Sequence, residues 1–248
     1  MIKSVNRALD ILLYLAENKE VGIRELARLL EVNAATAFRL LSTLEKKKFV
    51  CKDSVTKKYQ LGPETIRIGY CYLSNLNLVQ VARPYLQQLS HKINETVCLL
   101  IREGVFYGTY IDKIDSNHAL RVHAQIGAKV PLYMGSAAKA FTAHLPFEEQ
   151  EKILDKFASS PPTGNLDKEK LRKEFEEIRK SGYAISKEEV DPGVIAIGSP
   201  IFGFDNQVVG AVGVPLPKDR ATPPHLQQVA VNLKETCAKI SWQLGYRL

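Results

Sequence analysis

Five histidines, four cysteines and one short run of carboxylates are the side chains of this 248-residue chain best suited to bond-making chemistry. His91, His118, His123, His144 and His225 show no HExxH pattern, no metal-ligand spacing and no neighbouring GxSxG nucleophile elbow. Cys51, Cys71, Cys98 and Cys237 are scattered without a CxxC pair, which suits reduced, mostly buried thiols. Cys98 in particular sits in an apolar, strand-like run, where a structural thiol is the ordinary reading. "SKEEVD" supplies Glu188, Glu189 and Asp191, the residue types of an acid/base pair, but adjacent loop carboxylates are usually just solvated. "GVIAIG" has the glycines of a dinucleotide fingerprint without the strand-to-helix turn that makes one work. No catalytic set, metal site or cofactor is expected.

A different chemistry is offered by "EVNAATAFRLLSTLEKKKFV", residues 31–50. Ala37, Leu40, Leu41 and Leu44 recur at helical spacing and make one face of a helix a core face. The opposite side carries Ala34, Ala35 and Thr36, then Phe38 and Arg39, with Lys46, Lys47 and Lys48 at the far end. Small side chains permit close approach to a DNA major groove, Thr36 can touch base edges, and Arg39 suits phosphates. Asn33 stands where an N-cap must open this helix.

The elements that would position such a helix are legible around it. Val5, Ala8, Leu9, Leu12 and Leu15 form one amphipathic stripe, and Ile23, Leu26, Ala27 and Leu30 a second. Three short one-sided helices, the last two joined by a sharp turn at Glu31–Val32, give helix-turn-helix geometry. "CKDSVTKKYQL" then reads as two short strands about a polar turn, a wing whose Lys57 and Lys58 would reach phosphates. Charge agrees with this placement: residues 1–78 carry 13 Lys and Arg against 8 Asp and Glu, whereas the remainder is nearly balanced. A soluble helical interaction module is the bland alternative.

No apolar run approaches the ~18 residues of a membrane span, so a cytoplasmic protein with no membrane partner is expected. "GPETIRIGYCYLSNLN" has a proline placed for a first helical turn and a partly apolar face at Ile66, Ile68, Gly69 and Leu73, consistent with a linker helix over residues 63–78. From residue 79 onward helices and strands alternate. Hairpins are expected around Glu103–Gly104 and Asp205–Asn206, a strand at "ALRVHA", helices at 148–157 and 167–180, and a last helix from Thr222. Tightly joined strands pair antiparallel, which makes residues 79–248 an α+β sheet domain.

"SVNRALDILLYLAE" through "IRELARLLEVNAATAFRLLSTLEKKKFV" resembles the winged helix-turn-helix of the IclR family of bacterial transcriptional regulators. "ARPYLQQLSHKINETVCLLI", "GAKVPLYMGSAAKAFTA" and "GYAISKEEVDPGVIAIGSPIFGFDNQVVGAVGVPLP" resemble successive segments of that family's effector domain, in order, so the resemblance spans nearly the whole chain. It implies a winged helix-turn-helix DNA-binding domain at 1–62, a linker helix at 63–78 that helps pair subunits, and a GAF-like effector domain at 79–248. Its implied partners are double-stranded operator DNA and a small carboxylate or aromatic effector. Symmetric operators further call for a homodimer or a dimer of dimers.

The family holds its effectors at the loop before "SAAKAF" and in the "ISKEEVDPGVIAIG" segment. The resemblance therefore points to Leu132, Gly135, Ser136, Ala137, Ser186, Ala196 and Ile197. Gly135 and Ser136 can cap a helix or present free N–H groups to an anion, and the residues themselves allow either. Tyr133 replaces a frequent histidine, Ser186 and Ala196 stand where carboxylate-sensing members can carry Asp and Cys, and Ala34 and Ala35 stand where many members have a basic residue and a serine. The rival class is a small-molecule-processing enzyme built on the C-terminal α+β domain.

Overall fold

The computed structural model describes residues 2–75, 77–159 and 166–247, with side chains assigned except at Tyr70, 72–75 and Asn77. Two compact units divide the chain between Asn75 and Leu76. No helix among the described residues is long and apolar enough to cross a membrane.

The first unit holds α1 (Lys3–Glu17), α2 (Ile23–Leu29), α3 (Ala34–Lys46), β1 (Val50–Lys52), β2 (Tyr59–Leu61) and α4 (Pro63–Asn75). Ile11, Leu15, Leu26, Leu41, Leu44 and Tyr59 meet in its core, and β1 pairs antiparallel with β2. The first helix corrects the expected stripe. Its core residues are Ile11 and Leu15, flanked by Ala8 and Leu12, whereas Val5 and Leu9 are 53% and 54% exposed. The apolar residues of α1 span more of its circumference than the small trihelical core can cover, so Val5, Leu9 and Leu13 stay outside it, as does Ile2 just before the helix. On α4, Ile66 and Ile68 are likewise exposed; the Leu73 side chain lies outside the described residues.

The second unit opens with α5 (Asn77–Ile93), so Leu78 belongs to the helix that packs on the sheet and not to α4. There follow β3 (Val97–Glu103), β4 (Tyr107–Ile114), β5 (Lys129–Pro131), α6 (Ser136–Thr142), α7 (Phe147–Ala158), α8 (Lys168–Ser181), β6 (Ala184–Lys187), β7 (Val194–Phe202), β8 (Val208–Pro217) and α9 (Pro223–Gln243). The strands form one antiparallel sheet in the order β5-β4-β3-β8-β7-β6. Alternation sets the two faces. Leu100 and Ala211 join the core under α6, α7 and α8, while Asp112, paired in register with Leu99, meets Arg83 of α5 at 2.5 Å on the other face.

One expectation fails here, and one further strand is found. "ALRVHA" forms no strand, because the ladder positions beside β4 are taken by β5, further along the chain. Conversely, Ala184–Lys187 is a strand at the sheet edge, pairing with β7 although its sequence runs straight into a charged loop. Gly182, at φ +79°, ends α8 in the left-handed conformation expected of it.

Candidate nucleic-acid interface and ligand cavity

The turn into α3 is fixed by backbone geometry: Glu31 adopts φ +51°, and the Val32 N–H donates to the Ala27 carbonyl at 2.9 Å. Asn33 caps the helix, its Oδ1 accepting the Thr36 N–H at 2.8 Å. Burying Ala37, Leu41 and Leu44 turns Ala34, Ala35, Phe38 and Arg39 outward, with Thr36 half-buried beside them. Arg39 makes no ion pair among the described residues.

The wing tip is folded on Asp53, whose carboxylate accepts the Val55 and Thr56 N–H groups at 2.9 and 2.6 Å. Those bonds hold its pKa below the usual carboxylate range. Lys57 projects from this tip at φ +59°. Lys58 is placed differently from the free phosphate contact expected of it, because its Nζ pairs with Glu20 at 2.7 Å. The cause is the antiparallel bridge between Val21 and Tyr59, which sets residues 20 and 58 diagonally on one face, within reach of two long side chains. Both side chains are nearly half exposed, so solvent screens the pair and Lys58 can exchange Glu20 for a phosphate.

In the second unit a cavity of about 260 Å³ opens on the α6 face of the sheet. Cys98, Tyr110, Ser186, Ala196, Gly213 and Pro215, from five strands, make its floor. Gly135 and Ser136 border it from the start of α6, and Val122 to Gln125 wall it from outside. Ser136 and Ser186 are 4% and 3% exposed, and neither hydroxyl is engaged by another described residue. Burial pushes the Cys98 thiol up to about 12 and raises Tyr110 as well, so both stay protonated.

Of the seven residues expected at an effector site, the fold brings Gly135, Ser136, Ser186 and Ala196 to this cavity and leaves three out. Ser186 and Ala196 are register partners on neighbouring strands, so they face the same way. Ile197 follows Ala196 and therefore points through the sheet. Leu132 belongs to the core with Phe141 and Phe157. Ala137 lies against Gly213 of β8, where a glycine Cβ would come within 3.2 Å of it.

Missing from the expected set were Tyr110, Cys98, His123, Gln125 and Asp191. The loop carboxylates also need correction, because Glu189 is not simply solvated. Its Oε2 accepts the Gly135 N–H at 2.9 Å and its Oε1 meets Lys139 Nζ at 2.5 Å. Lys139 is 1% exposed and also pairs with Glu174. A lysine amid the small residues of "SAAKAFTA" was the available signal, since a buried ammonium demands a carboxylate.

Among the described residues no group of His, Cys, Asp and Glu is arranged to hold a metal. Cys237, the other deeply buried thiol, is also pushed up to about 12.

Residues 4–54 match the IclR helix-turn-helix domain, and residues 70–242 match the bacterial transcriptional regulator IclR C-terminal domain. The chain belongs to the IclR family of bacterial transcriptional regulators. Among IclR-type relatives, the HTH-type transcriptional regulator KdgR of Escherichia coli is 29% identical over 99% of this chain and 94% of its own length. KipR of Bacillus subtilis is 28% identical over 98% of each chain. The crystal structure of the Thermotoga maritima IclR superposes with a TM-score of 0.83 at 29% identity, covering 99% of this chain and 100% of the other. Its IclR membership makes the protein a helix-turn-helix regulator with an effector-binding C-terminal domain. Relatives that match over the whole chain are named regulators or repressors, not enzymes.

Proposed function

We propose that α3 reads operator sequence in the major groove through Ala34, Ala35, Thr36 and Phe38, while Arg39 and Lys57 hold flanking phosphates. Asn33 sets the helix start, and Lys58 joins the phosphate contacts by leaving Glu20. The C-terminal cavity takes the effector, a small carboxylate or aromatic metabolite in a cytoplasmic regulator. Residues 1–62 serve as the DNA-binding domain and α4 as the linker. The exposed apolar residues of α1 and α4 supply the surface on which a second copy pairs, giving a dimer or dimer of dimers.

One observation carries the effector reading. Two buried, unengaged hydroxyls, Ser136 and Ser186, look into a largely apolar cavity whose volume lies just under the ~300–1,000 Å³ of typical ligand sites. A ring or hydrocarbon body suits the floor of Ala196, Gly213 and Pro215, and a polar end suits the hydroxyls. The Gly135 N–H already serves Glu189, so the serines, not that amide, are the polar anchors.

The test is a thermal-shift screen of small carboxylates and aromatics, followed by operator binding with each hit. A regulator requires that a hit change operator affinity and that operator DNA change the hit's affinity by the same factor. Ser136→Asp should keep operator affinity and lose the ligand response. Steady turnover of a hit with no effect on DNA binding would overturn the reading.

A further inference from the structure

The outer wall of the cavity is built without a strand. Among the described residues, 119–124 make no main-chain hydrogen bond to the sheet, and two of their carbonyls are held by side chains instead. Arg220 Nη1 donates to the Leu120 carbonyl at 3.0 Å, and Thr96 Oγ1 donates to that of Val122 at 3.4 Å. Arg220 lies in the turn that follows β8. Its own orientation is imposed by Glu95, whose two carboxylate oxygens accept from Nε and Nη2 at 2.7 Å each. Glu95 is 1% exposed, and its carbonyl is tied to Ser90 Oγ at 2.9 Å. A bidentate pair on a buried carboxylate fixes the plane of the guanidinium, so Nη1 is aimed at one place.

The Leu120 it is aimed at borders an outer depression, and the residues that follow Arg121 form the cavity wall. Val122, His123, Ala124 and Gln125 line the site, while Val122 and His123, with Asp191 and Val194, also border a shallower depression of about 530 Å³. The wall is therefore one layer of side chains thick, and its backbone is held by the bonds from Arg220 and Thr96.

We propose that Arg220, oriented by Glu95, is a positioning residue of the effector site: it holds residues 119–125 closed over the cavity, and its release opens the cavity toward the outer depression. The assignment rests on reading the cavity as the effector site, but its test uses neither ligand nor DNA, so the two can fail separately.

Cys98 provides the reporter, because it lies in the cavity floor and is 1% exposed. Cys237, 2% exposed and bonded to the Ser199 carbonyl of β7, reports opening of the whole sheet unit. The full-length protein is treated with N-ethylmaleimide and each cysteine's labelling rate is followed by peptide mass spectrometry. In Arg220→Lys the charge facing Glu95 remains but the forked geometry is lost. Labelling of Cys98 should rise about tenfold or more, from loss of a charge-assisted bond, with Cys237 unchanged. The isosteric Glu95→Gln should do the same by freeing the guanidinium, and it decides the matter if Arg220→Lys does not fold. Wild-type labelling of Cys98 in the folded variants, or parallel acceleration of Cys98 and Cys237, would overturn the proposal.

Discussion

Gly198 is where β7 passes beneath the start of α6, and replacing it by alanine should damage the effector domain out of proportion to one methyl group. A Cβ at that position would lie 2.3 Å from the Ser136 carbonyl carbon, 2.4 Å from its oxygen and 2.5 Å from the Ala137 nitrogen. Ordinary contact begins near 3.4 Å, so strand and helix must part by about 1 Å, and all three obstacles are backbone atoms. Overpacking a close-packed interior costs ~1–3 kcal/mol, and a clash with no rotamer to relieve it belongs at the upper end. For a unit of this size each kcal/mol lowers Tm by ~2–4 °C, so the sheet unit should melt about 6–12 °C lower by calorimetry of the full chain. Gly69, inside α4 with nothing within 4 Å of its would-be Cβ, is the contrast. There the same substitution should stabilise the helix by up to ~1 kcal/mol, from propensity alone. A Gly198→Ala protein whose sheet unit melts within about 2 °C of wild type would refute the close-approach argument.

Asn33→Ala removes the cap of α3 and should destabilise the first unit by ~1 kcal/mol, about 4–8 °C in Tm, with weaker operator binding. Arg39→Ala and Lys57→Ala should each weaken binding to all sequences and flatten log K against log salt by about one unit, whereas Thr36→Val should alter sequence preference at constant slope; equal slopes throughout would remove the phosphate contacts. His144, packed edge-on to Phe202 at 5.1 Å, has its pKa lowered chiefly by burial, against the bond between its Nδ1 and the Ala140 carbonyl. The unfolded chain therefore binds that proton more strongly, and the stability is present above about pH 6.5 and lost as pH falls through the lowered folded value. His144→Gln should make the fall in Tm between about pH 7.5 and 5.5 shallower, and an identical fall would show that another group titrates.

The DNA-binding end was legible because its determinants are local. Asn33 caps a helix three residues away, the turn at Glu31 spans two residues, and the wing folds on the Asp53 side chain. The failure at Val5 and Leu9 has a different origin: periodicity marks which residues are apolar, but not how much of a helix's circumference its neighbours will cover. In the sheet domain the hairpins around Gly104 and Asn206 were readable from turn chemistry, whereas the missing strand at 119–124 depended on which segment reached the β4 edge.

By itself the sequence determined most of the order of the elements, the antiparallel hairpins, the helix-turn-helix and the family to which the chain belongs. All of these follow from spacing along the chain or from ordered runs of residues. What it left undetermined was the inside of the effector domain. Ala196 and Ile197 are neighbours in sequence, yet one lines the cavity and the other the opposite face, and that choice is made by register with Ser186 and Pro215. Glu95 and Arg220 are separated by 125 residues and Lys139 and Glu189 by 50. No local rule pairs them. Their pairing is decided when the sheet closes and takes Lys139 and Glu95 out of water, where each needs an opposite charge beside it, which is a property of the packed chain and not of any segment of it.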